Sequence, residues 1–400
     1  MFAIKTVSKT FRFPDNFFFG TSSAATQIET ASNHNWRGEI ARDGEIFNRT
    51  CDHELRRAED AQHIARFGTI YRCSIDWARI QTAPSSEFNA GVVKEYAAFF
   101  DDLQNRGMKL MLVLHHFTQP IWFENLGGWE NKSNIAHFID YTERIAHHFS
   151  KYVAYWNTFN EPNVYAMNGW ILGTSPPHVK NYFKANKILR RFQTAHDIAF
   201  QVLRHHTPNI PIGISLNTAL FEGKNFLGKF SAAFVDWWFN KRAMTHFKNV
   251  DFLGISYYAH ILFDPFPISE IHAPGKLGAL GIPHDGMWGY NPEGLSINMR
   301  KLYARYKKPL IITENGICTD DDNKRISAIK DYLSEVHAVM QSGIPVLGYI
   351  FWSTFDNFEW DLGKAYRFGL LRVDFETCER KNTAAAEFYQ QVCETKSFEL

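Results

Sequence analysis

Eight short apolar runs alternate with longer amphipathic stretches along this chain, and no other feature constrains its fold as tightly. The runs are Phe17–Ser22, Thr69–Ile75, Lys109–His115, Val153–Phe159, Pro211–Leu216, Phe252–Tyr257, Leu310–Thr313 and Val346–Phe351. They are nearly continuously apolar and lack period-two alternation, so each reads as a strand buried on both faces. Between them the spacing predicts helices over Lys94–Arg106, Asn134–Tyr152, Lys184–His206, Asp236–Phe247, Ser296–Tyr306 and Arg325–Gln341. Gly107 and Gly343 stand where the first and last of these should stop. Eight buried strands separated by helices predict a (β/α)8 TIM barrel. No G-x-G-x-x-G opens a helix after the first run, which weighs against an open dinucleotide-binding sheet. No linker, charge block or low-complexity tract divides the sequence, so residues 1–400 read as one barrel domain.

In such a barrel the C-terminal ends of all strands meet on one circle. Most ends here carry a polar or aromatic group. Gln27 follows the first strand, Arg72 lies in the second, and His115 and His116 end the third. Asn160 and Glu161 end the fourth, Asn217 the fifth, Tyr257 and Tyr258 the sixth, Glu314 and Asn315 the seventh, and Trp352 with Ser353 the eighth. Packing explains one such residue more readily than it explains so many. Glu161 and Glu314 stand out. Each follows an apolar run and precedes a chain-breaker, Pro162 or Gly316, so each carboxylate sits where a buried strand empties into a loop. Two carboxylates opposed across a barrel mouth can divide the proton transfer and the nucleophilic attack that cleave a glycosidic bond. Pro162 is expected to hold Glu161 in extended backbone.

Thr158-Phe159-Asn160-Glu161-Pro162 and Ile312-Thr313-Glu314-Asn315-Gly316 resemble the two signatures of glycoside hydrolase family 1, the β-glucosidase family. Further matches follow in order at Phe19-Gly20, Gln27-Ile28-Glu29, Tyr71-Arg72, His115-His116-Phe117, Asn357-Phe358-Glu359-Trp360 and Arg367-Phe368-Gly369. The resemblance implies a retaining β-glycosidase acting on non-reducing terminal β-linked glucose, fucose or galactose through a covalent glycosyl-enzyme, with no cofactor and no metal. It implies Glu314 as nucleophile and Glu161 as general acid and then base. In a retaining enzyme the two carboxyl groups lie ~5–5.5 Å apart. By the same resemblance Arg72 and Tyr258 bond Glu314 and keep it ionised, while burial and the Glu314 charge raise Glu161. Gln27, His116, Asn160 and Glu359 would hold ring hydroxyls, with Asn160 at the 2-hydroxyl, and Trp352 and Trp360 would form the apolar platform. Phe368 joins them at the sugar; Trp122 and Trp288 are placed toward the leaving group. Glu359-Trp360 stands where 6-phosphoglycosidases carry a phosphate clamp, which favours a neutral sugar. The alternatives on this fold are a non-catalytic sugar-binding relative, which usually lacks one of the glutamates, and a mainly transglycosylating enzyme.

Composition narrows the partners. A net charge of +1 gives no reason to expect nucleic acid or an anionic membrane. Aromatic residues make up 16% of the chain, with 11 Trp, and part of that excess is expected to line a groove, because sugars stack their C–H faces on indoles. The five cysteines are scattered without C-x-x-C, which predicts free thiols in a reducing compartment, the cytoplasm. Met1–Gly20 lacks the apolar core of a signal peptide, and no apolar run reaches the ~18 residues of a membrane span. Asp320-Asp321-Asp322 reads as an exposed turn rather than a calcium loop. The chain departs from the family pattern at Thr30, Cys73 and Ser256, where the family favours Gly, Phe and Asn, and the segment Thr30–His53 looks shortened. These departures leave the leaving-group side the least specified part of the pocket.

Overall fold

The computed structural model describes residues 9–400. At its centre eight parallel strands close into a barrel: β1 (Phe18–Ser22), β2 (Ile70–Ser74), β3 (Lys109–His115), β4 (Val153–Asn160), β5 (Ile212–Gly223), β6 (Phe252–Phe263), β7 (Leu310–Asn315) and β8 (Val346–Trp352). Each strand pairs with its neighbours in chain order, and β8 pairs with β1 to complete the ring. Each expected strand is present, which follows from the physics of the pattern: a strand covered on both faces must be apolar throughout.

Two strands run further than expected. β5 and β6 stay paired past the barrel rim, from Leu220↔His260 to Gly223↔Phe263, and form a two-stranded arm above the mouth. Pro267–Ile268 folds back antiparallel on that arm. The expected strands end at Leu216 and Tyr257, but Leu220-Phe221 and Ile261-Leu262-Phe263 continue a β-prone run beyond them.

Among the described residues eight α-helices longer than ten residues surround the barrel: α1 (His53–Ile64), α2 (Ala90–Asn105), α3 (Ile135–Phe149), α4 (Tyr182–His206), α5 (Phe226–Asp236), α6 (Glu293–Tyr306), α7 (Asp322–Gln341) and α8 (Ala384–Thr395). Side-chain caps start several of them. Asn89 accepts from Gly91 and Val92, Asn181 from Lys184, and Thr383 from Ala386, each satisfying amide groups that the first turn leaves unpaired. Asp321 does the same for α7, so the middle of the acidic triplet is a helix cap. The helix expected to begin at Asp236 begins at Phe226 instead and continues through a π turn at Trp237–Arg242. Asn225 caps it, and its buried side carries only Gly228 and Ala232. Its large apolar residues point outward, which is why the usual inward-facing pattern does not reveal it.

Inside the barrel Ile70, Met111, Phe252, Ile311 and Ile350 form an apolar plug toward the strand N-termini. Arg72, two residues beyond Ile70, shares its side of the strand and lies above that plug. The first described strand, Thr10–Arg12, pairs antiparallel with Ser397–Glu399, tying the two ends of the described chain together. All five cysteines are free and buried.

Candidate active site

The two glutamates stand at irregular strand ends. Pairing of β6 with β7 shifts register so that Ser256, directly after Ile255↔Ile312, lies opposite Glu314. Pairing of β4 with β5 shifts between Asn157↔Gly213 and Asn160↔Ser215. Each bulge re-aims the side chains that follow it. Gly316 completes the β7 terminus: a Cβ there would lie 2.0 Å from the Trp352 carbonyl oxygen, so no larger residue fits.

The backbone of Glu161 corrects the expectation drawn from Pro162. Glu161 is not extended but left-handed, at φ 42° and ψ 58°, the first residue off β4 and the cap of the short helix Pro162–Met167. Its N–H donates to the Ser215 carbonyl at 2.9 Å, and its own carbonyl accepts from Tyr165 N at 3.0 Å. These bonds offset the ~1–2 kcal/mol that a non-glycine residue loses in this conformation. Pro162 takes the first helical position, where a missing N–H costs nothing.

One guanidinium organises the floor. Arg72 is fully buried. Its Nη1 donates to Glu314 Oε1 at 2.5 Å and to Ser22 Oγ at 3.1 Å. Its Nη2 donates to Asn160 Oδ1 at 2.6 Å. Tyr258 donates its hydroxyl to Glu314 Oε2 at 3.0 Å. Asn160 Nδ2 lies 3.0 Å from His116 Nε2, leaving the buried His116 Nδ1 without a partner. Asn217 Nδ2 donates to Glu161 Oε1 at 2.9 Å.

The surroundings treat the two carboxyls differently. Burial pushes Glu161 up, the Glu314 charge adds to it, and Asn217, Ser256 and Arg72 offset only part, so its pKa rises to about 8. Burial also pushes Glu314 above the usual carboxylate range, but there the adjacent Arg72 charge and the hydrogen bonds from Arg72, Tyr258 and Asn160 oppose it. The expectation is that Tyr258 and Arg72 keep Glu314 ionised; they oppose the effect of its burial, but burial is the larger influence because Glu314 is only 4% exposed. Glu359 rises to about 8, through burial first and then the Glu314 and Glu161 charges.

Glu161 and Glu314 line one cavity of about 620 Å³, together with His116, Asn160, Tyr258, Trp288, Trp352, Glu359, Trp360 and Phe368. Two more of the expected residues lie just behind its wall. Arg72 sits beneath the carboxylates, and Gln27 donates through Nε2 to Asn357 Oδ1 and the Phe358 carbonyl, both at 2.9 Å, and to Glu359 at 3.4 Å. Gln27 Oε1 is buried and unpartnered. Trp122 is not part of the cavity. It is half-buried against the core, packs edge-on against Trp77 and donates its indole N–H to the Gln81 carbonyl at 2.9 Å. Sequence reasoning missed Trp36, which lines the cavity and packs 5.1 Å from Trp360, ring centre to ring centre. Its signal was a lone Trp in the shortened segment between Thr30 and His53. Among the described residues no group of three or more His, Cys, Asp or Glu is placed to hold a metal ion, and no helix is long and apolar enough to cross a membrane.

Comparison with known proteins agrees with this geometry. The sequence profile of glycosyl hydrolase family 1 matches residues 9–227 and 237–398, breaking off across the body of α5. Beta-glucosidase A of Acetivibrio thermocellus is 28% identical over 96% of this chain and 99% of its own length. Beta-glucosidase A of Thermotoga maritima is 27% identical over 97% and 99%. Among solved structures, the beta-glycosidase from Pyrococcus horikoshii superposes with a TM-score of 0.87 at 30% identity, covering 98% of this chain and 96% of its own. The Thermotoga maritima beta-glucosidase in complex with azafagomine gives 0.87 at 25% identity, over 96% and 99%.

Proposed function

The chain belongs to glycosyl hydrolase family 1, and on that premise we propose how its residues divide the work. The enzyme is a retaining β-glycoside hydrolase. Glu314 attacks the anomeric carbon and becomes esterified to the sugar. Glu161 gives its proton to the departing oxygen, then takes one from the water that releases the sugar. The observation that carries this division is that both carboxyls line one cavity, with Glu314 bonded by the Arg72 guanidinium and Glu161 bonded by Asn217 and pushed up by burial beside the Glu314 charge. When Glu314 is esterified its charge disappears, which removes one of the influences raising Glu161 and readies it as a base.

Glucose, fucose or galactose at the non-reducing end is the sugar. Gln27, His116, Asn160 and Glu359 hold its hydroxyls, using the spare acceptor on Gln27 and the spare ring nitrogen on His116. Trp352 and Trp360 flank His116, with ring centres 5.8 and 6.2 Å away, and supply the apolar platform. Five free, buried cysteines support a reducing compartment, the cytoplasm. The test is Glu314→Gly. Hydrolysis of a nitrophenyl β-glycoside should fall by about 10⁴-fold or more, and added azide should fill the gap and release the α-glycosyl azide. Undiminished hydrolysis, or a β-azide product, would remove Glu314 from its role.

A further inference from the structure

Beyond the carboxylates the cavity continues between apolar walls. Met167 and Ile171 come from the segment after Glu161, Phe221 and Phe263 from the β5–β6 arm, and Phe234 and Trp238 from α5 and the π turn after it. These six side chains offer no hydroxyl or charge to a second sugar, although Asn168, Thr174, Ser175, Tyr182, Ser269 and His272 add polar groups elsewhere on the cavity wall.

α5 is built the reverse of a barrel helix. Gly228 and Ala232 face inward, while Phe226 is 84% exposed, Leu227 62%, Phe230 72%, Phe234 52% and Trp237 42%. Phe266, 79% exposed, stands beside the start of this helix, where Lys224 N donates to the Phe263 carbonyl and Asn225 bonds Asp264. Large apolar side chains clustered on one free face mark a contact surface. A helix with Phe, Leu and Trp on that face is the kind that lies in the plane of a lipid surface. Phe234 belongs both to this face and to the cavity wall, so the apolar path runs unbroken from the outside toward Glu161. The family profile leaves out residues 228–236, so Phe230 and Phe234 fall outside the matched pattern while Phe226, Leu227 and Trp237 stand at its edges. Lys224 pairs with Asp264 and Lys241 with Asp236, while among the described residues Lys229 within α5 and Arg242 over the Trp237 ring have no ion pair, so the surroundings carry a small positive excess.

We propose, resting on the β-glycosidase reading, that this enzyme takes amphiphilic β-glycosides with a long alkyl or acyl-bearing leaving group from a lipid surface on which α5 is seated. The glycosidic bond breaks, the sugar passes to Glu314 and then to water, and the lipid alcohol departs with the Glu161 proton along the Phe234 wall. A lipid surface fits better than a second copy of the chain, because the face opens into a cavity that a leaving chain would fill and a flat partner would not.

The test pairs two substrate series with one variant. For alkyl β-glycosides from methyl to octyl, below their aggregation thresholds, kcat/KM should rise by about two- to fourfold per CH2, the scale of apolar burial. Phosphatidylcholine vesicles carrying dodecyl β-glucoside should bind the wild type, and the double variant Phe226→Ser, Phe230→Ser should lose that binding and at least tenfold of the rate on the vesicles. The same variant should hydrolyse a dissolved nitrophenyl β-glycoside at the wild-type rate, since neither residue lines the cavity. A flat chain-length series overturns the proposal. So does vesicle binding that ignores the substitutions, or a wild-type dimer that the variant dissociates with no vesicle binding in either protein. Failure of the wild type on the nitrophenyl substrate itself would instead strike the β-glycosidase reading, and this inference with it.

Discussion

Replacing Glu161 by glutamine should disable the enzyme and make it more stable, by an amount that depends on pH. The folded protein raises this carboxyl from its ordinary 4.5 to about 8. Below pH 4.5 the group is protonated in both folded and unfolded chains and folding loses nothing. As pH rises toward 8 the unfolded chain ionises and the folded one does not, so stability is lost progressively. At pH 7 the loss is about 3 kcal/mol; at pH 5 it is under ~1 kcal/mol, both on the scale of 1.36 kcal/mol per pKa unit. Glutamine is neutral throughout and keeps a carbonyl for the Asn217 N–H to bond. At ~2.1 cal/mol/K per residue, the unfolding entropy of 400 residues is about 0.8 kcal/mol/K. The variant should therefore melt about 3–4 °C above wild type at pH 7 and about 1 °C above it at pH 5, measured by scanning calorimetry. The wild-type kcat/KM should decline above about pH 8, as Glu161 gives up the proton it must donate. A gain that is the same at both pH values, or a lower melting temperature at pH 7, would show that the site does not hold Glu161 protonated.

Other consequences can be checked independently. Glu161→Gly should slow hydrolysis of an alkyl β-glycoside by about 10²–10⁴-fold, yet leave the first step on a dinitrophenyl β-glycoside much less affected, because that leaving group departs without a proton; equal losses on both would argue against the acid role. Far from the cavity, Asp60 is fully buried and receives Arg380 Nε and Nη2, each at 2.7 Å, with His53 Nδ1 also at 2.7 Å. Asp60→Asn should destabilise the fold by about 3–5 kcal/mol, the cost of stranding a buried guanidinium, read by urea unfolding at pH 7. Because Asp60 is held below its ordinary range, the difference from wild type should shrink as pH falls through that lowered value.

The barrel was legible because a strand covered on both faces has to be apolar from end to end, and β3 appears with the bounds the sequence assigns it. Glu161, Glu314, Asn160 and His116 were legible because a closed ring brings distant strand ends onto one circle. What failed to show depends on backbone detail or on outward packing. The register shifts at β4 and β7 leave no trace in residue type. The left-handed turn at Glu161 runs against the ordinary effect of a following proline, and it is set by the Ser215 carbonyl across the sheet. Trp122 and Trp36 show the limit for aromatic residues: composition promises indoles in a groove, but only contacts tell that Trp36 reaches it and Trp122 faces Trp77. α5 escaped because its apolar stripe faces away from the core, the reverse of the rule by which helices are recognised.

The Arg72 fork joins β4 to β7, with one prong on Asn160 and the other on Glu314. Two ring ends that could otherwise drift apart as the barrel breathes are thereby yoked and travel together. On the proposed reading, a sugar held by Asn160 at its 2-hydroxyl is carried in step with the Glu314 oxygen that attacks its first carbon, so alignment survives motions that would scatter two separately mounted tools.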